Sequence, residues 1–145
     1  MSLQTDLALF RAKLDDAIQK SMEGVVADIA KSALRQAVYE KVYDPSVYTP
    51  IRYERKMDQG GLSDVRNMEA RYDKATMTLE VEDVRRDEDT NRLVAPVVES
   101  GRGYNYFSPG PRPFHAYAEQ LMGQGLFESA LNEGLKEAGM DAEMV

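Results

Sequence analysis

Apolar residues recur every three or four positions along the first forty residues, a spacing that predicts one long amphipathic helix. The stripe consists of Leu3, Leu7, Phe10, Leu14, Ile18, Met22, Val25 and Ile29, and it continues through Leu34, Val38 and Val42. Asp44-Pro45 ends the pattern, because a residue before proline is disfavoured in the α region. Such a helix would be about 60 Å long, whereas a compact domain of this size is about 30 Å across. We therefore expect it either to break near Gly24 or to project and meet another subunit.

Residues 65–84 alternate between apolar and polar side chains, which predicts a β-hairpin with one exposed face. The apolar positions are Met68, Ala70, Tyr72, Ala75, Met77, Leu79 and Val81. A two-residue turn at Asp73-Lys74 would place Met68 opposite Leu79. Asp-Lys is a weaker turn pair than Asn-Gly, so a longer loop stays open.

A third strand is predicted ahead of the hairpin. Ile51 and Tyr53 alternate with charged residues, and a turn at Gly60-Gly61 follows. This strand matters because a stable sheet needs three or more strands.

The last third of the chain predicts a short helix, a loop and a terminal helix. Thr90 is a candidate cap for the short helix, whose apolar side carries Leu93, Val94, Val97 and Val98. Arg112-Pro113 begins the last helix, since proline is tolerated in a first turn, and Gly139 is a plausible end. Gly123 and Gly125 predict a break within it.

Together these elements predict a single α+β domain over residues 1–145, in which a long N-terminal helix and a C-terminal helix pack on a small antiparallel sheet. The predicted segments are an N-terminal helical segment (1–44), strands (48–84), a short helix with a Gly/Pro/Tyr loop (90–114) and a C-terminal helix (113–139).

The composition of the chain excludes several classes of function. The chain has a net charge of −7 and no cysteine, which excludes disulfides and thiol catalysis. The acidic excess lies after residue 60, so no basic footprint for sequence-specific nucleic-acid binding exists, although DNA could slide past such a surface. No run approaches the roughly 20 apolar residues that span a bilayer, so we expect no membrane partner.

Candidate chemistry is sparse. His115 is the single histidine, which rules out a histidine-pair metal site, and no Gly-x-Ser-x-Gly motif accompanies it. We expect it to serve in packing or at the surface. Glu80 and Glu82 share one strand face and Asp87-Glu88-Asp89 follow, but no calcium-loop spacing is present. We predict no catalytic residue, no metal and no cofactor.

The loop before the last helix, with its glycines, prolines and aromatic residues, predicts a shaped, contact-making surface. Arg112 stands between two prolines that hold it extended, and Tyr and Arg are common at interface hot spots. The candidate assembly contacts are Arg102, Tyr104, Tyr106, Arg112 and Phe114. The alternative for Arg112 is an intramolecular cap that pins the loop to the sheet.

The same residues carry a resemblance. The turn ending in Val98-Glu99-Ser100-Gly101-Arg102-Gly103-Tyr104, followed by Pro111-Arg112-Pro113-Phe114, resembles head–tail joining or tail-completion proteins of tailed bacteriophages and prophages. The order of elements is also similar, although a longer Pro50 to Leu62 stretch replaces a compact motif that many relatives have after the first helix.

The resemblance implies a non-enzymatic subunit of a homo-oligomeric ring in the virion neck or tail, assembled in the bacterial cytoplasm. Its partners would be copies of itself and adjacent head or tail proteins, with DNA only in non-specific passage. The alternatives are a small carboxylate-dependent hydrolase and a soluble protein-binding module.

Overall fold

The computed structural model describes residues 3–46, 55–102 and 110–140. Its helices are α1 (Leu3–Ser21), α2 (Ala27–Lys41), α3 (Val94–Ser100), α4 (Phe114–Leu121) and α5 (Phe127–Glu137). The strands β1 (Met68–Asp73) and β2 (Thr78–Asp83) form an antiparallel pair. This is an α+β fold, as the sequence predicts. No helix in the described ranges is long and apolar enough to cross a bilayer.

The first helix does not break at Gly24. A single π-helical turn, Met22–Val26, joins α1 to α2, and the residues on either side of it keep α-helical backbone angles. A π turn inserts one extra residue into a helix without ending it. The first half of α1 projects, because every described side chain from Thr5 to Lys13 is exposed.

The two strands of the hairpin have the predicted faces, but Ala75 and Met77, which were predicted as apolar strand positions, lie in the exposed turn, and the register also differs. Asp73 pairs with Thr78 and Met68 pairs with Asp83, so the two-residue turn at Asp73-Lys74 and the pairing of Met68 with Leu79 are wrong. The longer turn follows from local chemistry: the Asp73 carboxylate accepts a hydrogen bond from the Ala75 N–H at 2.9 Å, and Met77 adopts a left-handed φ of 54°. A shift of four residues keeps each side chain on its face.

The exposed face of the hairpin is charged. The Arg71 guanidinium lies 2.8 Å from the Glu82 carboxylate and 3.7 Å from that of Glu80. These two glutamates therefore share the predicted strand face, where they pair with a cross-strand arginine.

Three smaller predictions have different outcomes. The helix after Thr90 forms as α3, but Leu93 occupies its N-cap position, and the Thr90 N–H instead donates to the Asp87 carboxylate at 2.9 Å. The break in the last helix is confirmed, because Gln124 and Gly125 leave helical backbone angles between α4 and α5. The predicted strand at Ile51 and Tyr53 lies outside the described residues.

The core has two parts. The larger lies between α2, α3, α4 and the base of the hairpin; its buried members are Leu34, Ala37, Val38, Val42, Leu62, Met68, Ala95, Val98, Phe114 and Ala118. The smaller joins the π turn to α5 through Met22, Val26 and Ala130, with Tyr72 and Leu79 of the hairpin packed against it. Helix α5 meets the end of α1 closely, since the Ser21 hydroxyl donates to the Leu131 carbonyl at 3.1 Å.

Candidate assembly surface: the loop after α3 and its support

The two ends of the loop between α3 and α4 lie against each other. A Cβ placed on Gly101 would lie 2.5 Å from the Gly110 carbonyl carbon and 2.6 Å from the Pro111 nitrogen. The backbone that leaves α3 is therefore in direct contact with the backbone that returns to α4. Gly101 also has a φ of 70°, which favours glycine. Its N–H donates to the Val97 carbonyl at 3.0 Å, and this bond ends α3. We call residues 101–112 the pinned loop.

Arg112 anchors the returning side of the pinned loop. Its backbone N–H donates to the Val98 carbonyl at 3.1 Å, and its guanidinium Nη1 donates to the Val42 carbonyl at 3.3 Å. Arg55 donates to the same Val42 oxygen at 3.1 Å and to the Tyr43 carbonyl at 3.3 Å. Cations at a helix C-terminus satisfy its last carbonyls and oppose the negative end of its dipole. Arg112 is 5% exposed, and its bond to the Val42 carbonyl ties the returning side of the loop to the end of α2.

Phe114 follows Arg112 into the interior. It is fully buried in the larger core, where it fixes the first residue of α4. Its ring stacks on the His115 imidazole with centroids 4.5 Å apart. The end of the pinned loop is therefore held by a buried cation and a buried aromatic ring in succession.

His115 joins three elements. One Glu99 carboxylate oxygen accepts a hydrogen bond from the His115 backbone N–H at 2.7 Å. The same oxygen contacts Nδ1 of the His115 ring. His115 Nε2 accepts from the Asp83 backbone N–H at 3.0 Å. Since Nε2 accepts, the neutral ring carries its proton on Nδ1 and donates it to Glu99. A carboxylate at the N-terminus of α4 is also favoured by the helix dipole. These bonds connect β2, α3 and α4 through His115.

Asp83 is the unusual carboxyl of this region. It is 4% exposed, its Oδ1 accepts from the Arg85 N–H at 3.1 Å, and its Oδ2 has no hydrogen-bond partner among the described residues. Burial raises the pKa of Asp83 to about 7, against the lowering effects of the Arg85 N–H and the Arg85 charge, while Asp64 raises it slightly further. Asp83 therefore carries a proton for much of the time near neutral pH.

A cavity of about 300 Å³ adjoins these groups. Its lining includes the polar residues Glu82, Asp83, Glu99 and His115, with Leu93, Ala95 and Pro96 among its apolar walls. Across the described part of the chain, no group of three or more His, Asp or Glu residues is arranged to hold a metal ion. Chemically, the cavity offers carboxyl groups and one imidazole.

A larger groove of about 750 Å³ lies beside β2, which pairs only with β1 among the described residues. One wall is formed by residues 77–82, and helical residues such as Val26, Leu34, Ala118 and Met122 form the other. Because Val84 N–H donates to the Asn67 carbonyl at 2.8 Å, the peptide groups of Leu79 and Val81 point away from β1. The groove is largely apolar, although Glu80, Glu82 and Glu119 also line it, and β2 gives it a hydrogen-bonding edge, which is typical of surfaces that accept a polypeptide.

The predicted contact residues fall into two groups. Arg102 is exposed at the start of the pinned loop, and its N–H donates to the Ser100 hydroxyl at 3.1 Å. Tyr104 and Tyr106 lie outside the described residues. Arg112 and Phe114 are buried, so the geometry gives them the support of the loop; their part in contact with another subunit stays a prediction.

Two residues of this region were not singled out by the sequence. Asp83 had a visible signal, because it continues the alternation of Leu79 and Val81 and so places a carboxyl group on the apolar face of the hairpin. Glu99 had no such signal in the sequence. It lies 16 residues before His115, and its contact with that residue depends on how α3 packs against α4.

No curated protein and no solved structure is significantly similar to this chain. The profile of the YomN family, which is associated with bacteriophages and prophages, matches residues 6–137. Because this match extends from the first turns of α1 to the end of α5, the chain belongs to the YomN family.

Proposed function

We propose that this protein is a non-enzymatic structural component of a phage or prophage particle, located in the neck or tail. In this role it joins head to tail, or completes the tail, as a repeated subunit of a ring. Its partners are neighbouring copies and adjacent head or tail proteins, and assembly takes place in the bacterial cytoplasm. DNA passes without specific binding.

The observation that carries the proposal is the pinned loop. A close crossing of Gly101 and Gly110 and a buried arginine hold both ends of a segment that contains Tyr104 and Tyr106. Fixing the ends lowers the entropic cost of presenting those aromatic side chains to a partner. Phage association of the family and the apolar groove beside β2 give further support.

The acidic surface fits the proposed passage of DNA. The chain has a net charge of −7, and Glu80 and Glu82 lie on an exposed strand face. Like charges repel phosphate, so such a face would line a channel without retaining DNA.

The test is complementation of a prophage from which the gene has been deleted. Induced lysates are imaged by negative-stain electron microscopy after supply of wild-type protein or of the Tyr104→Ala/Tyr106→Ala variant. We expect separate heads and tails, or heads without stable necks, both for the deletion and for the double variant, and joined particles for wild type. Circular dichroism of the purified variant checks that it is folded.

Normal infectious particles from the deletion would overturn the structural role. Rescue by a double variant that assembles like wild type would leave that role standing but remove the loop as the contact. The single substitution Arg102→Ala, at the exposed edge of the same loop, measures whether charge contributes beside the aromatic residues.

A second candidate is a small carboxylate-dependent hydrolase, favoured by one observation. Asp83 has a pKa near 7 and borders a cavity together with Glu99 and His115, and carboxyl groups with raised pKa values often serve as general acids. A screen of ester, phosphate and glycoside substrates, with and without Mg²⁺, tests it. Turnover that is lost in Asp83→Asn would establish this candidate, and no turnover would remove it.

A further inference from the structure

The apolar stripe of α1 is covered along only part of its length. Phe10 and Leu14 are followed, at steps of seven residues, by Ala17 and Ser21 on the same face of the helix. Ala17 and Ser21 are 2% and 1% exposed because α5 packs there. Leu7 and Phe10 are 51% and 54% exposed. The surface that binds α5 therefore continues toward the N-terminus, where none of the described residues covers it.

We propose that this exposed part of the stripe is covered by α1 of a second copy of the chain, in antiparallel orientation. Leu7, Phe10 and Leu14 of each copy would interlock, as apolar residues do at the first and fourth heptad positions of paired helices. This two-fold contact is separate from the pinned loop and does not depend on the place of the protein in a virion.

The position of α5 selects the orientation. From Ala17 onward, α5 packs on the same face of α1 that carries Phe10 and Leu14. Two parallel α1 helices would have both copies of α5 between them at the same level, where helices 8–10 Å apart leave no room. In an antiparallel pair centred near Phe10, Leu3 of the partner lies level with Ala17, so the partner's α1 begins where α5 begins to cover this helix, and the two copies of α5 lie at opposite ends of the contact.

Charge fits this orientation. Asp6 and Lys13 are seven residues apart, so they lie on the same flank of the stripe. In an antiparallel pair these flanks face each other, and Asp6 of each copy comes close to Lys13 of the other. Arg11 lies on the opposite flank and would approach Asp6 only in a parallel pair. A charge exchange therefore distinguishes the two orientations.

The contact is small. About three helical turns from each copy bury less than the ~1,200 Å² at which stable specific interfaces begin. We expect a weak dimer that forms at high protein concentration, as it would among subunits gathered in one assembly.

The experiment is sedimentation equilibrium of the full chain from about 10 μM to about 1 mM at low salt, where exposed charges act over the longest range. Wild type is expected to shift from monomer to dimer. Phe10→Glu should remain monomeric, because it places a charge in the centre of the contact. The matched control is Leu9→Glu, which is equally exposed at 57% but lies on the other side of the helix, and which should dimerise like wild type.

The charge variants test the orientation. Asp6→Lys and Lys13→Asp should each weaken dimerisation several-fold, and the double variant should recover it. Restoration by Asp6→Arg combined with Arg11→Asp, in place of the Lys13 exchange, would overturn the antiparallel arrangement. A wild type that stays monomeric throughout, or a Leu9→Glu variant as impaired as Phe10→Glu, would overturn the pairing itself.

Discussion

Replacing Asp83 by Asn should stabilise the folded protein at neutral and alkaline pH. The carboxyl group is 4% exposed, and one of its oxygens has no hydrogen-bond partner among the described residues. Burial raises its pKa from an ordinary value of 3.8 to about 7. Asparagine has the same shape, stays neutral at every pH, and its carbonyl can still accept the Arg85 N–H.

The magnitude follows from the difference between the folded and unfolded pKa values. The folded state holds the proton more tightly, so the stability that Asp83 contributes is fully present below pH ~4 and is lost as the pH rises through about 7. Three pKa units correspond to ~4 kcal/mol, which is an upper limit because a buried carboxyl group also relaxes toward water. The gain from Asp83→Asn should therefore grow between pH 4 and 8 to a few kcal/mol.

Urea denaturation of wild type and Asp83→Asn at one-unit intervals from pH 5 to 8 measures this gain. The control is Asp15→Asn, at an exposed position of α1, which should follow the wild-type curve. If the free energies of unfolding of wild type and Asp83→Asn ran parallel across this range, the buried carboxyl would not titrate as the geometry requires.

Two paired glycine substitutions test the contacts that shape the molecule. Gly101→Ala should cost at least ~2 kcal/mol of unfolding free energy, because its Cβ would overlap the Gly110 backbone; Gly110→Ala has a similar φ but open space around it and should cost only ~1 kcal/mol. If Gly101→Ala and Gly110→Ala lowered the Tm equally, the close contact between the Gly101 and Gly110 backbones would be refuted. Gly134→Ala should destabilise by ~1–3 kcal/mol, since its Cβ would lie 2.7 Å from the Ser21 Cβ, whereas Gly123→Ala meets nothing within 4 Å and should be neutral or stabilising. A neutral Gly134→Ala would mean that α5 does not pack closely on α1. Thermal denaturation followed by circular dichroism measures all four variants.

Local pattern was sufficient for the helices and for the faces of the hairpin. The stripe of α1 and α2 is a periodic signal repeated over ten turns, and it predicted the end of α2 to within a few residues. The glycines at 123 and 125 likewise predicted the break in the last helix, because Gly125 adopts a φ of 101°. Both features arise from neighbouring residues alone.

Contacts between distant parts of the chain were not predictable in the same way. The hairpin register depends on Met77 taking a left-handed conformation, which its residue type does not indicate. Arg112 reaches a carbonyl 70 residues away, so the sequence suggested a cap but not the helix end that it caps. The alternation of the hairpin places Asp83 on the apolar face, but the depth of its burial depends on α4, whose His115 accepts a hydrogen bond from the Asp83 N–H.

The most direct measurement of the proposed role is quantitative mass spectrometry of purified particles from the induced prophage. A ring subunit of the neck or tail should be present in several copies per particle, at a fixed ratio to the other neck and tail proteins. If the protein is made after induction but is absent from purified particles, the account of it as a virion subunit is contradicted.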